Sequence, residues 1–195
     1  MISEIFGYLS GIVILLAFIP YLRDIFLGKT KPERASWLIW GILGSIALAS
    51  QYAKGASFSL LFNGVQTFGD LFIFILAIRY GIGGFMKRDI FALIGVAIGL
   101  VLWYLTKEAA LALLIVIFID GTGTVLTIIK SYENPTTETM SAWILTALGG
   151  LLACIAVGKF NIILLAFPFY TFLANLGIIA SIKLGLKKQT LNIKN

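Results

Sequence analysis

Two carboxylic acids stand far from any loop in this chain. Asp70 lies thirteen residues after Ser57 within an apolar stretch, and Asp120 lies about eleven residues into another. Asn63, Gln66 and Thr67 precede Asp70 at spacings of seven, four and three, so on a helix the four share a face. Thr124 and Thr127 follow Asp120 at spacings of four and seven. A charged side chain surrounded by apolar residues is expensive and usually faces a bundle interior or a watery cavity. No lysine or arginine falls mid-stretch to neutralise either acid. Each must be protonated, bonded to neutral donors, or paired with a mobile cation: a proton, sodium or a cationic solute. That is binding and coupling chemistry. Bond-breaking chemistry has little support, and no enzyme activity is expected. Histidine is absent, and Cys154 is the lone cysteine, so neither a zinc site nor a disulfide can form within the chain. Asp120-Gly121-Thr122-Gly123 has no lysine beside it and is not a phosphate loop. No catalytic residue, metal or cofactor is expected.

The stretches that hold these acids are made for lipid. Hydrophobic residues form 59% of the 195 and charged residues 12%, about half the charge of an average soluble protein. Seven stretches approach the ~20 residues that cross a bilayer: Ile5–Leu22, Ser36–Ala53, Ser57–Arg79, Asp89–Thr106, Ala109–Lys130, Met140–Val157 and Phe160–Lys183. Met1-Ile2-Ser3-Glu4 lacks the basic start of a cleaved signal, so the first stretch is read as a retained span. The net charge of +6 comes from short basic clusters, which suit lipid headgroups rather than nucleic acid. Twelve lysines and arginines fall on one side: Arg23, Lys29, Lys31, Arg34, Arg79, Lys87, Arg88, Lys130, Lys183, Lys187, Lys188 and Lys194. Only Lys54, Lys107 and Lys159 fall on the other. The positive-inside rule then places the N-terminus outside and the C-terminus in the cytoplasm, with the inner membrane of a prokaryotic cell as the expected location.

The chain also repeats. A shift of 105 positions lays Ser36 through Gly81 over Ser141 through Leu186 without a gap, pairing Leu43-Gly44 with Leu148-Gly149, Lys54 with Lys159, and Asp70 with Asn175. Pro168 and Thr171 then match Asn63 and Gln66. Each unit holds three spans, and a single span between them makes both units point the same way. The expected fold is an all-α membrane protein of seven transmembrane helices, two parallel three-helix repeats joined by a linker helix. Its parts are residues 1–81, a linker at 82–106, a second unit at 107–186 and a cytoplasmic tail at 187–195.

Other features weigh less. Trp37, Trp40 and Trp143 stand at the starts of spans and read as an interfacial belt, like Trp103 and Tyr104 at the far end of span 4. Gln51, Tyr52 and Tyr170 are weaker candidates for lining a pathway. Gly41, Gly44, Gly149 and Gly150 allow close helix approach, and Gly95 with Gly99 marks a packing face of the linker, expected against the first unit. Pro20 and Gly123 are candidate hinges.

Pro20-Tyr21, the basic loop from Arg23 to Arg34, and Ser36-Trp37-Leu38 opening the next span carry a resemblance. With the three-one-three layout, the chain resembles the SWEET and PQ-loop superfamily over nearly its whole length. Tyr21 stands where the family has glutamine, and Gly123-Thr124 stands where the second proline pair falls. The resemblance implies that Asp70 and Asn175, at the family's mid-helix asparagine positions, face each other across a central pathway. The expected function is alternating-access transport of a small polar solute, sugar-like or a small organic or cationic metabolite, with proton or cation coupling. The alternative is a receptor or sorting protein on the same fold. Asp70, Asn175, Gln66, Asn63, Thr67 and Thr171 are the expected substrate contacts, with Asp120 and Thr124 on the coupling path. Expected partners are the solute and the bilayer, with homo-oligomer formation left open.

Overall fold

The computed structural model describes residues 2–30, 32, 34–81, 87–106 and 108–194. These residues form helices α1 (Ile2–Phe26), α2 (Arg34–Ala53), α3 (Leu60–Tyr80), α4 (Lys87–Thr106), α5 (Ala109–Glu133), α6 (Met140–Ala156) and α7 (Ile162–Lys194). A short 3-10 turn at Pro135–Thr137 precedes α6, and no strand occurs among the described residues. Residues 82–86, which open the expected linker, lie outside the described residues.

The helices are apolar on both faces, which separates them from helices of a soluble bundle. Along α1 the buried residues are Gly7, Ser10, Gly11, Ile14, Ala17, Tyr21 and Ile25, three or four apart. The opposite face carries Ile5, Ile12, Leu15 and Ile19, each half exposed or more. A soluble helix would place charge there. α1, α3 and the Ile162–Leu191 portion of α7 are long and apolar enough to cross a membrane, and α6 is apolar but shorter.

Contacts between helix ends give their directions. Phe58, just before α3, meets Gly7 at the start of α1, and Gly158, after α6, lies against Ser3. Lys54, after α2, pairs with Glu108, before α5. At the other end the Thr139 hydroxyl, before α6, donates to Asp24 Oδ2 near the close of α1 at 3.0 Å. Arg34 at the start of α2 donates to the Ala77 carbonyl late in α3 at 2.9 Å. Lys188 lies over the Tyr132 ring, joining the ends of α7 and α5. Helices α1, α3, α5 and α7 therefore run one way, and α2 and α6 run back.

The packing has an internal correspondence. α3 packs on α1 and α2, just as α7 packs on α5 and α6; α1 packs on α6, as α5 does on α2. Exchanging α1 with α5, α2 with α6 and α3 with α7 leaves this set of pairs unchanged. Burial follows the same correspondence: Phe62, Asn63, Asp70, Ile73 and Ala77 are buried in α3, as are Phe167, Pro168, Asn175, Ile178 and Ile182 in α7. α4 packs mainly on α5 and more lightly on α2, so it leans on the second group of helices rather than the first. The surroundings of Gly95 and Gly99 lie outside the described residues.

Glycine sets the closest approaches. A Cβ on Gly150 would sit 3.1 Å from the Pro168 carbonyl oxygen and the Phe172 nitrogen, so α6 rides directly on the α7 backbone. Gly41 and Gly44 do the same for α2 on α3, beside Leu71 and Thr67. α1 continues through Pro20 as one helix, although proline removes one backbone donor there. α5 likewise runs through Gly123, whose surroundings lie outside the described residues. The last helix departs from expectation. Its span was expected to close at Lys183, with a tail from residue 187, but α7 continues to Lys194. A helix need not stop where its apolar stretch stops, and Leu184, Leu186 and Leu191 are good helix formers beyond it.

Candidate functional site

The small residues close the helix crossings, but the helices part around a central space. A cavity with about 100 Å³ for the centres of water-sized spheres lies between α1, α2, α3, α5, α6 and α7. No described residue of α4 lines it. At a liquid share of ~30 Å³ per water, that is room for about three waters, or one small solute.

Its polar wall comes from three helices that run the same way. Asn63, Gln66 and Asp70 come from α3, Asp120, Thr124 and Thr127 from α5, and Tyr170, Thr171 and Asn175 from α7. The spacings of three, four and seven read in the sequence put these residues on inward faces. Asp70 and Asn175 are 6% and 5% exposed, and both line the cavity.

The two acids are held differently. Tyr170, fifty positions along the chain, donates its hydroxyl hydrogen to Asp120 Oδ2. Thr124 Oγ1 lies 2.9 Å from the same Tyr170 oxygen. Asp120 is therefore tied into a bridge between α5 and α7. Asp70 receives no side-chain hydrogen bond from the described residues, yet it is buried at the cavity wall. Around it are side chains with unspent capacity. Asn175 donates Nδ2 to the Thr171 carbonyl at 2.8 Å, leaving Oδ1 buried without a partner. Gln66 Oε1 and Asn63 Nδ2 are also buried without a partner. Orphaned polar groups are rare in a protein interior, and their convergence on a cavity indicates a ligand or ordered water.

Thr67 is a correction. It does not line the cavity: its hydroxyl lies 3.4 Å from Asn63 Oδ1, and it packs against Gly44 of α2. At ~100° per residue Thr67 sits ~60° round the helix from Asp70, whereas Gln66 is turned ~40° the other way. Thr67 therefore falls on the flank covered by α2. Pro168, the counterpart of Asn63, is buried against Gly150 instead.

A second correction concerns the tryptophans. Trp37, Trp40 and Trp143, read in the sequence as belt residues, line the cavity. Trp37 is 7% exposed, with its ring 5.0 Å from Tyr21 and 5.1 Å from Trp40. Trp143 Nε1 donates to Glu138 Oε2 at 3.1 Å. Tyr21 and Phe18 complete an aromatic wall the sequence reading did not anticipate. The available signal was the three-residue spacing of Trp37 and Trp40, which puts both on one face. Of the weaker candidates, Tyr170 lines the cavity; Gln51 is buried away from it, and Tyr52 is 75% exposed. The side chain of Trp103 lies outside the described residues.

The aromatic and polar walls are stacked along the bundle. Phe18 packs against Gly69, and Gly41, next to Trp40, against Leu71, so both aromatics are level with Asp70. Tyr21 and Trp37 cluster with Ile73, about 4.5 Å further along α3. The cavity thus runs from its acid and amides towards the end of the bundle that carries Arg23, Arg34 and Arg79. Alongside the cavity, Ile39, Leu43, Ile46, Ala47, Leu113, Val116 and Phe167 pack α2 against α5 and α7, and Leu43 and Phe167 of this cluster also line the cavity. No family model matches this chain, and neither a curated protein nor a solved structure does.

Proposed function

We propose that this chain is a membrane carrier of a small polar or cationic organic solute. In this reading all seven helices cross the bilayer as two parallel three-helix units, α1–α3 and α5–α7, joined by α4. The basic end faces the cytoplasm, and the units rock about the cavity to give alternating access. One observation carries the reading: a polar cavity lies inside an otherwise apolar bundle, lined by corresponding positions of two corresponding helices, Asp70 and Asn175. Repeated units meeting at a central polar site are the usual architecture of secondary transporters. The direction of each helix and the exchangeable packing pairs support a parallel repeat, and with it the likeness to the SWEET and PQ-loop superfamily. Pro20, in the helix that carries Ala17 and Tyr21 into the cavity, is the proposed flexing point of the inner gate.

Uptake into proteoliposomes tests this. Asp70→Ala and Asn175→Ala should each abolish flux while the protein remains folded in the membrane. Asp70→Asn keeps shape and hydrogen bonding but removes the titratable proton. If Asp70 couples a proton, that variant still exchanges solute across equal concentrations but loses pH-driven accumulation. Undiminished accumulation would remove Asp70 as the coupling group and leave Asp120. Saturable binding without flux would sink the carrier reading in favour of a receptor or sorting protein on the same scaffold.

A further inference from the structure

We infer that the solute carries a substituted ammonium group, held between Asp70 and a box of aromatic rings. The inference rests on the carrier reading and narrows it from a polar solute to an organic cation.

The charge of the wall comes first. Among the described residues that line the cavity every charged side chain is acidic, and none is a lysine or arginine. A carboxylate, phosphate or sulfonate solute would meet only repulsion there. Asp120 is satisfied by Tyr170, so Asp70 is the acid left for a ligand. The nearby amide reinforces the same sign. The Thr171 carbonyl can only accept, so the Asn175 amide must turn its Nδ2 towards it and leave Oδ1 to the cavity. Asp70 and Asn175 thus offer a carboxylate and a free acceptor, and both call for a positive or donor-bearing partner.

Ring geometry then distinguishes an organic cation from a sugar and from a bare ion. Trp37 and Trp40 meet at 85°, and Tyr21 is tilted 54° from Trp37. At centroid separations of 5.1 and 5.0 Å these rings brace one another, and the faces they leave towards the cavity form a rigid aromatic end to it. Aromatic faces attract alkylated ammonium through their quadrupole. They give a bare sodium ion no oxygen ligands, so the rings would add nothing to the binding of one. Phe18 packs on Gly69, next to Asp70, and both Phe18 and Trp40 border the Tyr21–Trp37–Ile73 cluster, so the acid and the rings line one continuous cavity.

The test is equilibrium binding to the purified full-length protein, read by tryptophan fluorescence and by calorimetry. The probes are choline, its uncharged carbon isostere 3,3-dimethyl-1-butanol, and glucose. Choline should bind at least tenfold more tightly than the isostere, with no saturable glucose binding. Asp70→Asn should erase the preference for the charged probe. Trp40→Leu should weaken choline fivefold or more, and Trp40→Phe should restore most of it. Because Asp70→Asn is isosteric, it carries the test even if the leucine variant does not fold. Equal binding of choline and the isostere, or a charge preference that survives Asp70→Asn, overturns the inference. Flux of radiolabelled choline and glucose separates the two readings. Choline binding without choline flux keeps the ammonium site and refutes the carrier; glucose flux without choline binding keeps the carrier and refutes the ammonium site.

Discussion

Replacing Tyr170 with phenylalanine removes one hydroxyl from the cavity wall and leaves the ring in place. That hydroxyl donates to Asp120 and lies 2.9 Å from Thr124 Oγ1. A hydrogen bond to a charged group contributes about 1.5–3 kcal/mol and a neutral one about 1 kcal/mol, so a dry site would lose ~3–4 kcal/mol. This site is not dry: Asp120 and Thr124 both line the cavity, and water can take the vacated position and recover part of the loss. The expected loss is therefore ~1–2 kcal/mol. Unfolding of the purified protein by SDS titration in mixed micelles gives the value. A double-mutant cycle with Asp120→Ala isolates the pair and should give a coupling of ~1 kcal/mol or more. Independent sites add within ~0.3–0.5 kcal/mol. A coupling inside that scatter would refute the bridge between α5 and α7 and return Asp120 to the pool of acids open to a ligand.

Other outcomes follow from the same geometry. Reporter fusions should place the N-terminus outside and the C-terminus in the cytoplasm; a cytoplasmic N-terminus would contradict both the charge reading and the parallel units. Gly7→Ala puts a methyl 2.5 Å from Phe58 Cβ and 2.7 Å from its carbonyl oxygen, and overpacking at ~1–3 kcal/mol exceeds the ~1 kcal/mol gained in helix propensity. Gly64→Ala meets only Leu48 Cδ1 at 3.9 Å and should instead be neutral or stabilise by up to ~1 kcal/mol, so thermal melting should move in opposite directions for the two.

Much of the polar wall was legible because helical spacing converts sequence into faces. Asn63, Gln66 and Asp70 were found that way, Thr171 and Asn175 through the 105-residue repeat, and all five line the cavity. Thr67 was misplaced because spacings of three and four bracket a face without defining its edges, and α2 covers one of them. The tryptophans were misread for a different reason. An interfacial belt and an inward aromatic wall both put tryptophan at the start of a helix, and only the rotation of that helix distinguishes them. Rotation is set by partners such as Gly41 on Leu71, far apart in sequence. The bond from Tyr170 to Asp120 was beyond reach for the same reason, since it crosses between helices. The length of α7 was missed because its lysines were taken to mark an end, whereas they mark only a change of surroundings.

That length has a mechanical side. From Asn175 at the cavity to Lys194, α7 is continuous helix, a rod of roughly 28 Å at 1.5 Å per residue. A tilt of ~10° centred on Asn175, too small to open more than a narrow gap at the solute, would swing its tip by ~5 Å. α7 therefore acts as a pointer fixed to the binding site. Its basic tip, with Lys187 and Lys188 exposed, would move whenever the helix tilts at the cavity. In the proposed carrier, a change deep in the bundle would in this way be written as a displacement at the far end of the helix.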